Sequence, residues 1–276
     1  MRHPDRPTAL CCVRCERPSC PECLREAAVG YQCVDCVRAG ARDTRAARSV
    51  GVGGGSGTDK PLVVPGLIVV NTAIFLLTVV QAGSVMGNSG AGLFELWSLR
   101  PLPVAGGQWW RLFTTGFLHY GPLHLAFNMW ALYIIGRDLE LALGRGKFLL
   151  VYLVSLLGGA TSSFVFSGLR DETAGASGAV FGLMAGAAVL LHRLGRSPRP
   201  ALTLIGINLA LTLVIPHISL SGHLGGMVIG AAVTAALVYA PRARQTLWQV
   251  GGIAGLVVVL GLVLVVRAAS LSLLVG

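Results

Sequence analysis

A single serine stands between two glycines in "ETAGASGAVFG", Glu172 to Gly182, and long apolar runs flank the stretch. A small hydroxyl with no bulky neighbour suits a nucleophile, provided a base can take its proton as the oxygen attacks. A histidine in a similar glycine setting follows in "SGHLGG", at His223. Ser177 and His223 therefore have the residue types of an activated hydroxyl and its general base. Two further polar groups, His124 and Asn128, are four residues apart and share one helix face. A ring nitrogen and an amide on that face could donate to an oxyanion formed during acyl transfer. The Ser177 backbone N–H, free at a helix N-terminus, is a third candidate donor.

A different chemistry is written at the start of the chain. Six of the seven cysteines form the pairs Cys12-x-x-Cys15, Cys20-x-x-Cys23 and Cys33-x-x-Cys36. This spacing lets two thiolates reach one metal from a tight turn. Cross-bracing makes Cys12, Cys15, Cys33 and Cys36 one complete tetrahedral zinc site. Cys20, Cys23 and His3 make a second, one ligand short. Disulfides would need an oxidising compartment, whereas the charge pattern below places this arm in the cytoplasm.

The elements that must carry these groups are apolar. Hydrophobic residues make up 54% of the 276 and charged residues 12%. Seven runs approach the roughly 20 residues a helix needs to cross a bilayer: Leu62–Gln81, Leu118–Gly136, Phe148–Phe166, Ser177–Leu191, Ala201–Ile215, Leu220–Ala240 and Val250–Val266. The expectation is an all-α polytopic membrane protein. The short alternating segments of a β-barrel are absent, and Met1–Arg48 has no apolar stretch like that of a secretory signal. Basic residues collect on alternate sides of the runs: Arg38, Arg42, Arg45, Arg48 and Lys60, then Arg137, Arg145 and Lys147, then Arg193, Arg196 and Arg199, then Arg242 and Arg244. Lys and Arg concentrate on the cytoplasmic side, so the N-terminus is expected inside and the C-terminus outside. The net charge of +10 reads as this topology signal rather than as nucleic-acid binding.

With that topology, the segments carrying His124 and Asn128, Ser177 and His223 all enter from outside, and these groups sit at similar depth. Polar groups at membrane depth are functional candidates; Asn71 and Asn208 are two others. Glycines strengthen the convergence. Gly178, Gly182 and Gly186 line one face of a helix, and Gly222, Gly226 and Gly230 line one face of another. Small residues at this spacing allow close helix approach. Asp171 and Glu172 are expected to be solvated in an outer loop, which leaves a dyad. Three pieces follow: residues 1–40 as the Cys-rich module, 41–60 as a basic Gly/Ser-rich linker, and 61–276 as the membrane domain, with a core over 61–240 and an extra helix over 250–266.

At these residues the membrane domain resembles the rhomboid family of intramembrane serine proteases. "WWRLFTTGFLHYGPLHLAFNMWAL" is similar to the family's Trp-Arg element, Trp110-Arg111, followed by His119, His124 and Asn128. "GASG" resembles its Gly-x-Ser-Gly, with Gly175, Ser177 and Gly178. "GHLGG" resembles its Gly-His-x-x-Gly, with Gly222, His223 and Gly226. The resemblance implies a six-helix core plus one additional C-terminal transmembrane helix, a Ser177–His223 dyad and an oxyanion site with His124 and Asn128. His119 is expected on a different helix face from His124, ordering the first loop. Many relatives have Tyr four residues after the nucleophile; here it is Phe181. The arm resembles a B-box-type zinc finger, in which a Cys precedes the His by three positions. Here that position falls before Met1, so an upstream start, substitution by Cys11 or a weak second site all stay open.

The implied activity is hydrolysis of a peptide bond in or near the transmembrane helix of single-pass membrane proteins. Catalysis would need no cofactor, and structural zinc would sit in the arm. The expected setting is a bacterial plasma membrane, with the lipid bilayer and a possible cytoplasmic partner of the arm as contacts, and no nucleic acid. A catalytically silent relative that binds client helices is the alternative. A transporter would show broken helices in symmetric halves, and no internal repeat is visible.

Overall fold

The computed structural model describes residue 3 and residues 5–43, 60–214 and 219–275. Most of the expected linker (44–59), and residues 215–218 at the end of the expected run Ala201–Ile215 and just beyond it, lie outside the described residues. The chain divides into two compact units, Met1–Ser49 and Val50–Gly276.

In the first unit, β1 (Leu24–Glu26) pairs antiparallel with β2 (Tyr31–Cys33), with Leu24 opposite Cys33. Helix α1 (Val34–Asp43) follows directly. The small core is Cys12, Leu24 and Cys33. So little apolar burial cannot by itself order a fold of this size, which is why small modules use metals or disulfides.

The second unit is helical. It begins with α2 (Val63–Ala82). The first turn of α2 is held by a buried carboxylate, Glu140, which is 0% exposed. Glu140 accepts from the backbone N–H groups of Leu62, Val63 and Val64 at 2.7, 2.9 and 2.9 Å. Free amides at a helix start carry partial positive charge, so an anion is stabilised there and three otherwise unpaired donors are satisfied.

A long first loop contains the short helices α3 (Gly92–Trp97), α4 (Pro101–Ala105) and α5 (Arg111–Thr114). Helix α6 (Gly121–Ala131) continues through one π-helical turn, Leu132–Gly136, into α7 (Arg137–Leu143). Then come α8 (Arg145–Phe166), α9 (Ser177–Arg193), α10 (Arg199–Val214), α11 (Leu220–Val238) and α12 (Gln245–Val275). Among the described residues, four helices are long and apolar enough to span a bilayer: Val63–Ala82, Arg145–Phe166, Leu220–Val238 and Arg242–Leu273. Ser177–Arg193 and Arg199–Val214 are shorter apolar helices, and α6 to α7 forms the remaining core crossing. The six-helix core with one added C-terminal helix follows from this order. That last helix is longer than the apolar run 250–266. Its Leu264, Ala268 and Leu271 pack against Leu99 and Val104 of the first loop and Phe164 of α8.

At the centre, α8, α9 and α11 meet through glycines. A Cβ on Gly159 would lie 2.8 Å from the Gly222 carbonyl oxygen and 3.1 Å from the Gly178 Cα. A Cβ on Gly226 would overlap the Gly178 carbonyl, and one on Gly230 would overlap the backbone of Gly182. Both expected grooves therefore face each other, and a third helix joins them. Gly226→Ala is expected to lower the thermal midpoint of the detergent-solubilised protein, by about 1–3 kcal/mol of overpacking. Gly251→Ala, where a Cβ would meet nothing within 4 Å, should leave it unchanged or raise it. Differential scanning fluorimetry of both variants reads the contrast.

Candidate active site

The glycine seam sets the site. Ser177 precedes Gly178 at the first position of α9, where Ala176 is the N-cap and no side chain caps the helix. Its hydroxyl is therefore not spent on capping, and the Ser177 N–H is one of the free amides of the first turn. His223 follows Gly222 in α11, capped by Ser219, whose Oγ accepts from Gly222 N–H at 3.0 Å. The His223 ring stacks on Phe181, centroids 4.1 Å apart and planes 19° apart. Phe181 is one turn beyond Ser177, so the imidazole lies against the serine's face of α9. His223 is buried; its Nδ1 is 2.8 Å from Thr212 Oγ1, and its Nε2 has no hydrogen-bond partner among the described residues.

Gly175 brings His124 to the serine. Its φ of +139° is a conformation that side chains rarely adopt. A Cβ there would lie 3.0 Å from His124 Nε2 and 3.6 Å from Ser177 Oγ, so both atoms border one small space. His124 Nδ1 accepts from Tyr120 N–H at 3.2 Å. A neutral imidazole has one N–H, so Nε2, the nitrogen beside Gly175, carries the proton. Asn128 spends one amide hydrogen on the His124 carbonyl at 2.9 Å and retains the second.

His119 departs from the expected helix face. It precedes α6, which starts at Gly121, and its ring packs edge-on to His124 at 5.2 Å and 65°. Asn88 fixes this corner. Its amide donates to Thr78 Oγ1 and the His119 carbonyl, and its Oδ1 accepts from Gly121 N–H.

Arg111 is buried and orders the first loop. Nη1 donates to the carbonyls of Glu95 and Ser98 at 2.6 and 2.7 Å, and Nε to Gln108 Oε1 at 2.7 Å. Burial pulls its guanidinium below the usual value. Trp110 is exposed and donates to the Leu96 carbonyl.

Glu172 is not solvated as the sequence suggests. It accepts from Ser98 Oγ at 2.5 Å and Arg100 Nη2 at 2.9 Å, with 26% of its side chain exposed. Leu99 and Thr173 exchange backbone hydrogen bonds at 3.0 and 2.9 Å beside it. The first loop is thus tied to the segment that leads into Ser177, an attachment invisible in sequence because its partners are 72 and 74 residues apart.

In the N-terminal unit, Cys12, Cys15, Cys33 and Cys36 place their sulfurs within 4.8 Å of one another, as do the ligand atoms of His3, Cys20 and Cys23. Cys15 and Cys33 Sγ are 3.8 Å apart, the edge of a tetrahedron with metal–sulfur bonds of about 2.3 Å. His3 Nδ1 is 3.3 and 3.5 Å from Cys20 and Cys23 Sγ, close to the nitrogen–sulfur edge of about 3.5 Å expected of such a site. Cys11 is exposed and belongs to neither group. Backbone N–H groups, Cys33 first, hold the Cys12 thiol down at about 6. Cys36, hydrogen-bonded to the Cys15 sulfur, is pushed up to about 12. Four sulfurs this close cannot all be anionic without a cation among them.

Comparison with known proteins agrees with the arrangement of the membrane unit. Residues 106–240 match the family model described as a Rhomboid domain. Rhomboid protease GluP of Bacillus subtilis is 39% identical over 142 residues, which is 49% of this chain and 27% of GluP. YdcA of the same organism, also named as a rhomboid, is 35% identical over 136 residues, 47% of this chain and 67% of YdcA. Rhomboid protease AarA of Providencia stuartii is 29% identical over 211 residues, 64% and 72%. The chain is a multi-pass helical membrane protein that belongs to the rhomboid family. It spans only about a quarter of GluP's length.

Glu172→Ala should loosen the tie between the loops, because a charge-assisted hydrogen bond contributes about 1.5–3 kcal/mol. Amide exchange at Leu99 and Thr173 should quicken about tenfold or more, with exchange in α8 unchanged, as read by hydrogen–deuterium exchange.

Proposed function

We propose that this chain is an intramembrane serine endopeptidase that cuts a peptide bond in or near the transmembrane helix of single-pass membrane proteins. The observation that carries the reading is the gathering of three groups around the Gly175 corner: half-buried Ser177 with an uncapped hydroxyl, buried His223 stacked on Phe181 with an Nε2 unpaired among the described residues, and half-buried His124 with its Nε2–H. In this reading Ser177 Oγ attacks the carbonyl carbon as its proton passes to His223 Nε2. The oxyanion is met by His124 Nε2–H, the free Asn128 amide hydrogen and the Ser177 N–H. His223 then gives the proton to the leaving amine as the C–N bond breaks, and water repeats the sequence on the acyl-enzyme. Gly175, Gly178, Gly222 and Gly226 serve by letting backbones approach; Trp110, Arg111 and His119 serve by ordering the loop.

The remaining assignments belong to the same proposal. Residues 1–40 form a zinc module: Cys12, Cys15, Cys33 and Cys36 hold one ion, and His3, Cys20 and Cys23 offer three ligands to a second. Residues 41–60 tether it to the membrane domain 61–276. The arm lies in the cytoplasm of a bacterial cell and the C-terminus outside, on the strength of the basic residues alternating between loops. The arm is free there to meet a cytoplasmic partner.

Fluorophosphonate labelling of the detergent-solubilised protein tests the site. Wild type should be labelled and should cleave a transmembrane peptide. Ser177→Ala and His223→Ala should each lose about a hundredfold or more of the cleavage rate. An unlabelled, folded wild type that still binds such peptides would favour a silent client-binding protein.

Elemental analysis tests the arm. The purified protein should carry zinc, and Cys15→Ser with Cys33→Ser should remove the four-cysteine ion. Dye-labelling kinetics of the membrane domain should not change. A metal-free wild type would overturn the assignment.

A further inference from the structure

We infer that Thr212 is a positioning residue for His223: its hydroxyl fixes the proton on Nδ1 and leaves Nε2 as the base for Ser177. This rests on the Ser177–His223 reading above and supplies the third member that the sequence lacks.

Thr212 sits on α10 and is 6% exposed. Its Oγ1 is 2.8 Å from the Asn208 carbonyl oxygen, to which it donates, and 2.8 Å from His223 Nδ1. A hydroxyl has one hydrogen, and a carbonyl oxygen only accepts. Two oxygens 2.8 Å apart repel unless a hydrogen lies between them, so the hydrogen points to Asn208, and towards His223 the Thr212 oxygen accepts. Nδ1 must then be the donor. A neutral imidazole has one N–H, so Nε2 keeps its lone pair. That nitrogen is the one without a partner among the described residues.

The same ring is fixed in two directions. Phe181 lies on its face at 4.1 Å, and Thr212 holds its Nδ1 edge. A half-turn of the ring about the Cβ–Cγ bond, which would put Cδ2 in the place of Nδ1 and Cε1 in the place of Nε2, breaks the bond to Thr212. The arrangement is opposite to that of His124, whose Nδ1 accepts from Tyr120 N–H. Two histidines of the same site are thus held in opposite tautomers, one to accept a proton and one to donate a hydrogen bond.

A hydroxyl also suits the surroundings. A carboxylate in this place would be an ion in an apolar interior, where desolvation is costly. Thr212 stays neutral and exchanges no proton. When Ser177 Oγ bonds to the carbonyl carbon, its proton moves to Nε2, and the Nδ1–H donated to Thr212 becomes charge-assisted and stronger. When Nε2 returns the proton to the departing nitrogen, the original tautomer is restored.

The test uses the full chain with nitrogen-15 histidine in detergent micelles. The His223 signals are assigned by their loss in His223→Gln. In wild type and Thr212→Ser, Nδ1 should carry the proton and Nε2 should not. In Thr212→Val, the Nε2–H form should appear. On a transmembrane peptide, Thr212→Val should lower kcat about ten- to a hundredfold, with KM within about twofold, and Thr212→Ser should restore most of it. Wild-type His223 protonated on Nε2, or Thr212→Val with unchanged kcat, would overturn the inference. If Thr212→Val does not fold, the wild-type and Thr212→Ser tautomers still decide. A wild type with the expected tautomer but no cleavage and no fluorophosphonate labelling would instead sink the protease reading alone.

Discussion

Close backbone contact between α9 and α11 is the constraint on which the membrane unit depends. Gly178 and Gly182 on one helix lie against Gly226 and Gly230 on the other, with Gly159 and Gly222 closing the third side. In lipid, helices gain little from burying apolar side chains, because the acyl chains are as apolar as leucine. Close packing and local polar contacts have to hold them together. Gly222 and Gly178 sit beside the two residues of the proposed dyad. The contact that joins the helices therefore also sets the separation of the reacting groups.

Polar groups around this seam act as fasteners rather than as solvated charges. Glu140 collects three amides at the start of α2, Asn88 ties α2 to the corner before α6, and Arg111 gathers the carbonyls of the first loop. Each satisfies backbone groups that neither lipid nor a helix interior could serve. Glu172 with Arg100 and Ser98 extends the pattern to the segment entering Ser177. The last helix adds Leu264, Ala268 and Leu271 to the same loop, which gives the added helix a packing role next to the core.

Much of the proposed site was legible in the sequence because its signals are local. Glycine spacing reports helix faces, paired cysteines report a turn with two thiolates, and a four-residue interval places His124 and Asn128 together. The structure sets the two glycine faces against each other, gathers the cysteine sets, and corrects two details. His119 lies before α6 rather than on it, and Glu172 is engaged rather than solvated. Thr212 was within reach of a local rule: Asn208 and Thr212 are a polar pair four apart in an otherwise apolar run. The periodicity shows their shared face but not what that face meets.

The sequence alone determined the class of protein, the number of apolar crossings, the candidate nucleophile and base, and the cysteine sets. These follow from residue type and short spacing, which the helix period and the bilayer thickness convert directly into geometry. The tertiary structure decided which glycine faces meet, which groups each histidine ring nitrogen faces, and which loop residues hold the approach to Ser177. Those depend on partners far apart in the chain: Leu62 with Glu140, and Ser98 with Glu172. Long-range pairing of this kind is set by the packing of whole helices, and no local pattern encodes it.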